Sequence, residues 1–162
     1  MEAIKIRAIK REDNKAIAQV IREVLVEMGV PKVGTAYEDE ALDKMFETYD
    51  LPKRSYFVVE ENDQILGGGG IAPLENGDPD TCELQKMYFL PMARGKGLGN
   101  KMIKQCLDYA KEAGYTKCYL ETMPYMESAR KLYKKVGFTE LEGPIGDTGH
   151  YSCETWMIKD LV

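Results

Sequence analysis

Arg94-Gly95-Lys96-Gly97-Leu98-Gly99 joins a strand-like run to a long helix-like run, and the fold is read outward from it. Glycine reaches φ > 0 and lets the backbone approach a ligand closely. The first N–H groups of a helix have no internal partner and point beyond its N-terminus. Arg94 and Lys96 add full charges, so the stretch is an anion trap whose shape suits a pyrophosphate. A dinucleotide fingerprint needs a third glycine where Asn100 stands, and no G-x-x-x-x-G-K-[ST] is present. Neither a Rossmann site nor a P-loop triphosphatase is indicated.

On the upstream side, residues 82–90 have strand character and end at Pro91. Downstream, Leu98, Met102, Ile103, Cys106, Leu107 and Ala110 form the apolar stripe of a helix over residues 97–113, stopped by Gly114. Residues 115–122 read as a further strand. Tyr125, Ala129, Leu132 and Val136 mark a short helix that ends at Gly137. Residues 138–141 and 151–159 are closing strands around a glycine-rich loop that holds His150, the one histidine, whose simplest role is a surface or capping group. Trp156 is expected in the core.

Toward the N-terminus, residues 4–9 alternate as a half-buried strand. Asp13 is a plausible N-cap for a helix whose apolar face is Ile17, Val20, Ile21, Val24, Leu25 and Met28, and Gly29 stops it. A weaker helix carries Leu42, Met45, Phe46 and Tyr49. Between the two, residues 30–37 are a plain connection or one wall of a substrate cleft. Residues 55–60 and 64–71 bracket Glu61-Asn62-Asp63 as a hairpin. Gly67-Gly68-Gly69-Gly70 lies inside its second strand, where glycine implies a bulge, tight packing or room for a ligand. The order β-α-α-β-β-β-α-β-α-β-β predicts one mixed α/β domain over residues 1–162.

A net charge of −5 argues against a nucleic-acid partner, because phosphate-backbone binding needs clustered cations. No run reaches the roughly 20 apolar residues of a membrane span, and the N-terminus lacks a signal-peptide core. The expected location is the cytoplasm. Cys82, Cys106, Cys118 and Cys153 lie far apart with no CxxC pair, so reduced, buried thiols are expected and no metal site.

Residues 84–138 resemble the core of the GNAT superfamily of acyl-CoA N-acyltransferases. Arg94-Gly95-Lys96-Gly97-Leu98-Gly99 matches the family's [QR]-x-x-G-x-[GA] cofactor motif, and Met87-Tyr88-Phe89-Leu90-Pro91 matches the approach to it. Ala129 to Phe138 matches its A-x-x-L-Y-x-x-x-G-F. The resemblance implies a mostly antiparallel sheet of about seven strands, a splayed fourth and fifth strand, and four helices. It implies that acetyl-CoA is the cosubstrate, its pyrophosphate bound by Arg94, Gly95, Lys96, Gly97, Leu98, Gly99 and Asn100. The pantetheine arm would pair with the backbone of Met87 and Phe89, and Tyr133 would protonate the departing thiolate. Glu83 falls where many members carry their general base. Methionine at position 126 departs from the asparagine often found there; Glu127 or Ser128 can cap that helix instead.

The chemistry stands on its own terms. An amine that attacks a thioester must first lose a proton, which a carboxylate can take, often through water. A phenol suits the leaving thiolate, and backbone N–H groups freed by a bulge can polarise the carbonyl. Glu83 is expected to share a face with Gln85, Met87 and Phe89 by alternation; Glu121 or a water chain is the competing base. The expected activity is transfer of acetyl from acetyl-CoA to a primary amine of a small molecule. The alternatives are a peptide acceptor, a catalytically silent acetyl-CoA-binding module, or a nucleotide-dependent enzyme. Family members are often dimers, so a homodimer is a further expectation.

Overall fold

The computed structural model describes residues 4–29, 40–122, 127–146 and 155–162. In chain order the elements are β1 (Lys5–Ala8), α1 (Asn14–Glu27), α2 (Met45–Tyr49), β2 (Ser55–Glu61), β3 (Gln64–Pro73), β4 (Thr81–Phe89), α3 (Leu98–Glu112), β5 (Lys117–Thr122), α4 (Glu127–Lys135), β6 (Thr139–Leu141) and β7 (Thr155–Asp160). The strands form one seven-stranded sheet in the order β1-β2-β3-β4-β5-β7-β6. Every neighbouring pair is antiparallel except β4 and β5. This is the mixed α/β architecture with four helices that the motif order implies. The expected His150, Met126 and residues 30–37 lie outside the described residues.

Local chemistry sets several boundaries. Asn62 and Asp63 both adopt positive φ (53° and 62°), the backbone a tight two-residue hairpin turn requires between β2 and β3. Gly29 ends α1 at φ 73°. Asp13 does not cap α1 as expected. It is itself helical (φ −81°, ψ −13°), whereas a capping residue needs extended backbone to reach the amides ahead. Its carboxylate instead accepts the Lys10 N–H at 2.8 Å and two bonds from Arg7, at 2.8 and 3.1 Å.

Register assigns the faces. Tyr56 and Arg7 share one face with Tyr49 of α2 and the start of α1, tied by the Arg7–Asp13 pair and by Phe46 N–H donating to Asn14 Oδ1 at 2.7 Å. Phe57 points the other way and meets Tyr109 of α3 edge-on. The core lies on both sides: Ile17, Ile21 and Leu25 of α1, and Met102, Ile103 and Cys106 of α3, are buried. Trp156 is only half-buried, a departure from the core position expected. It sits on β7 opposite Glu121, near the end of β5 where the sheet opens.

Two irregularities shape the centre of the sheet. Gly68 pairs with Tyr88 but Gly70 pairs with Gln85, so β4 carries one extra residue there, and Lys86 adopts φ 51°. That bulge inverts the alternation of side chains. Met87 consequently faces Gly69 and Met102 of α3, and Phe89 faces Gly67 on the same side. The shared face expected for Glu83, Gln85, Met87 and Phe89 is therefore split: Glu83 and Gln85 lie on the α1/α2 side, Met87 and Phe89 on the α3 side. The second irregularity is that β4 and β5 pair only from Thr81/Lys117 to Glu83/Tyr119. Beyond this point β4 stays with β3 while β5 follows β7 to Thr122, and the two strands part.

Candidate active site

The parted strands open a cavity of about 640 Å³ that runs through the sheet. Val24 of α1, Met28 just after its end, and Glu121 line it from one side. Leu98 and Gly99 of α3, with Leu132 and Tyr133 of α4, line it from the other. Its wall between them is the edge of β4 from Lys86 to Phe89, and its mouth is the turn at Arg94, Gly95 and Gly97.

The turn divides its glycines between two jobs. Gly95 and Gly97 adopt φ 76° and 75°, and a Cβ at either would meet nothing within 4 Å, so open space lies above them. Gly99 instead serves packing, because a Cβ there would come within 2.7 Å of Leu132 Cδ2 on α4. The first helical bond of the turn region is Lys101 N–H to Gly97 O at 3.3 Å, which leaves the preceding amides at the helix N-terminus facing the mouth. Glycine backbone and helix start together make a cradle that fits a pyrophosphate.

Arg94 plays another part than adding charge to this cradle. Its guanidinium grips Glu27 at the end of α1 through two bonds of 2.8 Å and donates to the Phe89 carbonyl at 2.9 and 3.1 Å. Its backbone N–H donates to Pro91 O. The hydrogen bonds from Arg94 hold the Glu27 carboxyl below its ordinary range. The cause is visible in the ladder: Leu90 N–H donates to Leu66 O of β3, so the flanking Phe89 carbonyl points to the opposite edge, into reach of Arg94. Arg94 thus clamps α1 to the end of β4. Sequence reasoning had no means to find this pairing, since Glu27 lies 67 residues away.

Tyr133 projects from α4 into the cavity, 7% exposed, with its ring edge-on against Phe138. Burial, with smaller effects from Cys106 and Cys118, pushes its phenol well above the ordinary tyrosine range. Such a group keeps its proton at neutral pH and remains a donor. Leu98 is buried beneath the turn, while Lys96 and Asn100 are exposed around it.

The carboxylates occupy the α1/α2 side of the opening. Glu83 is 4% exposed and its Oε1 accepts from Gln85 Nε2 at 2.6 Å. The Gln85 amide is oriented in turn by the Tyr49 hydroxyl, which donates to its Oε1 at 2.5 Å. Glu83 does not itself line the cavity; Glu121 does, and its Oε2 accepts from Tyr119 at 2.7 Å. Burial and the neighbouring Glu121 carboxylate both raise the Tyr119 phenol. Ile145 N–H donates to the Tyr119 oxygen at 3.3 Å, which brings the loop after β6 to this side. The half-buried Trp156 of β7 is the register partner of Glu121. Tyr49, Gln85 and Tyr119 carry no sequence motif; the pairing of β4 with β5 sets Tyr119 beside Glu83, and the packing of α2 on the sheet brings Tyr49 to Gln85. Cys82, Cys106 and Cys118 are free and buried, and no group of metal-binding side chains converges among the described residues. No helix among them is long and apolar enough to cross a membrane.

Comparison with known proteins agrees with this geometry. Residues 19–138 match the family model described as the acetyltransferase (GNAT) family. The chain is 44% identical over 156 residues to the "uncharacterized N-acetyltransferase YjgM" of Escherichia coli K12, covering 96% of this chain and 93% of that one. A GNAT-family acetyltransferase structure from Staphylococcus aureus Mu50 superposes with a TM-score of 0.83 over 99% of this chain and all of that one, at 21% identity. The structure of yncA from Salmonella typhimurium, solved with acetyl-CoA, superposes at 0.79, covering 99% and 95% at 20% identity.

Proposed function

The chain belongs to the GNAT acetyltransferase family, and on that premise we propose that it moves an acetyl group from acetyl-CoA to the primary amine of a small, cationic molecule. The observation that carries this reading is the cavity between the parted strands, with a pyrophosphate-shaped cradle at its mouth and the Glu121 carboxylate in its wall on the α1 side. We read the whole chain, residues 1–162, as one such domain, working in the cytoplasm.

In this reading the amides from Gly95 to Asn100 bind the pyrophosphate, and Arg94 supports them by fixing α1 against β4. The backbone edge at Met87 and Phe89 holds the pantetheine arm, and the N–H beside the bulge meets the charge that develops on the thioester oxygen. Glu121, which lines the cavity, draws the ammonium form of the acceptor into it. Glu83 takes the amine proton through water; Tyr49 and Gln85 hold its carboxylate in one orientation. The free amine attacks the acetyl carbonyl, the carbon–sulfur bond breaks, and Tyr133 gives its proton to the sulfur. Acetyl-CoA and amine thus become acetamide and CoA by direct transfer.

A panel of small amines, polyamines and amine-bearing peptides, assayed with acetyl-CoA for free CoA and acetylated product, tests this. Turnover confined to small cationic amines is the expected result. Turnover of peptides alone would reassign the acceptor class, and none with any amine would sink the acetyl-transfer reading.

A further inference from the structure

The glycine run in β3 has a use that lies beyond the cradle and the carboxylates. Tyr56 starts on β2 and lies flat across β3 over Gly68 and Gly70. A Cβ on either glycine would stand 2.5 Å from its ring. The ring is 1% exposed and backed by Tyr49, whose centroid is 5.2 Å away. By crossing β3 in this way the tyrosine reaches β4, and its hydroxyl donates to the Lys86 carbonyl at 2.7 Å. Lys86 is the bulge residue, at φ 51°. The Lys86–Met87 peptide is planar and trans, so its C=O and N–H point in opposite directions. Holding the carbonyl toward Tyr56 therefore turns the Met87 N–H away from β3, toward the cavity that Met87 lines.

We propose that Tyr56 is a positioning residue for acetyl transfer: its hydroxyl, admitted by Gly68 and Gly70, aims the Met87 N–H at the thioester oxygen. This assignment rests on the acetyl-transfer reading above. Phenylalanine at position 56 keeps the ring over the glycines and removes only the hydroxyl. In Tyr56→Phe, kcat is expected to fall about 10- to 100-fold, toward the loss seen when one oxyanion donor is removed. The Kd for CoA, which lacks the carbonyl, is expected to stay within about twofold because the cradle is untouched. The Met87 amide resonance reads the aim of that N–H without turnover. In the wild type it should shift further with acetyl-CoA than with CoA, and in Tyr56→Phe that difference should collapse.

A variant with wild-type kcat overturns the role of Tyr56 and leaves the acetyl-transfer reading intact. So does a loss of CoA affinity in step with kcat, which would mark general loosening. Wild-type protein inactive on every amine fails the acetyl-transfer reading alone. The Met87 resonance then decides the aim by itself, and a response unchanged by Tyr56→Phe overturns it.

Discussion

In the proposed reaction Tyr133 and the two carboxylates near the opening have distinct chemical duties, and single substitutions separate them. Tyr133→Phe keeps the ring against Phe138 and removes the proton that burial retains on the phenol. We expect kcat to fall by about 10²-fold, a usual loss for one general acid, with acetyl-CoA affinity unchanged; stopped-flow turnover and calorimetric binding measure the two. An unchanged kcat would remove Tyr133 from the proton path. Glu83→Gln should lower kcat with little effect on the KM of the amine, because Glu83 is buried in a hydrogen-bonded chain. Glu121→Gln should mainly raise that KM, because Glu121 lines the cavity. Steady-state kinetics in which the two effects are exchanged would swap the two roles.

At the scale of elements, the start of α3 and the parting of β4 from β5 are separate inventions that serve one cavity. Gly97 is the residue before α3, held in the left-handed region with open space above it. Valine there would meet no neighbour but would strain the backbone by roughly 1–2 kcal/mol, a small part of the stability of a domain. Gly97→Val is therefore expected to stay folded while CoA binding weakens at least about tenfold, since relief of that strain moves the amides of the cradle. Thermal melting and isothermal titration measure both, and retained tight binding would count against the cradle. The strand pair is legible only in part. Residues 82–90 and 115–122 read as strands from composition, but the bulge at Lys86 does not, because nothing in the side chains signals an extra residue in the register. A strict period of two then assigns Met87 and Phe89 to the wrong face.

At the scale of the molecule, the α1/α2 layer is fastened to the sheet by charge as well as by its apolar stripe. Asp13 joins the Lys10 amide to Arg7, which also bonds Glu60 of β2 at 2.9 Å. Burial alone would raise the Asp13 carboxyl, but the bonds from Arg7 and Lys10 and their charges outweigh it and hold it below the ordinary aspartate range. A folded value below the unfolded one contributes stability that is whole above about pH 4 and is lost as pH falls through the folded value. Urea midpoints measured from about pH 6 to about pH 2 should fall more steeply for wild type than for Asp13→Asn, which has no charge to lose. Parallel curves would show that this pair contributes nothing to acid stability.

What the chain determined by itself is whatever depends on near neighbours. The period of Ile17 to Leu25 makes a helix, Asn62-Asp63 makes a hairpin, and the glycines at 95 and 97 make a ligand-facing turn. The two motifs around Arg94 and Tyr133 add the family. The tertiary structure alone decided how those parts face one another. Arg94 proved to be a clamp because Glu27 is brought to it across 67 residues. Gly68 and Gly70 of β3 proved to be the bed of Tyr56, since only the pairing of β2 with β3 lays that ring across them. Glu83, Gln85, Tyr119, Glu121 and Trp156 came to one side of the sheet through register, and α2 packs Tyr49 against Gln85. Periodicity is a property of a few consecutive residues, whereas register and burial are set by contacts between strands distant in sequence, and the α1/α2 side of the opening is built from such contacts.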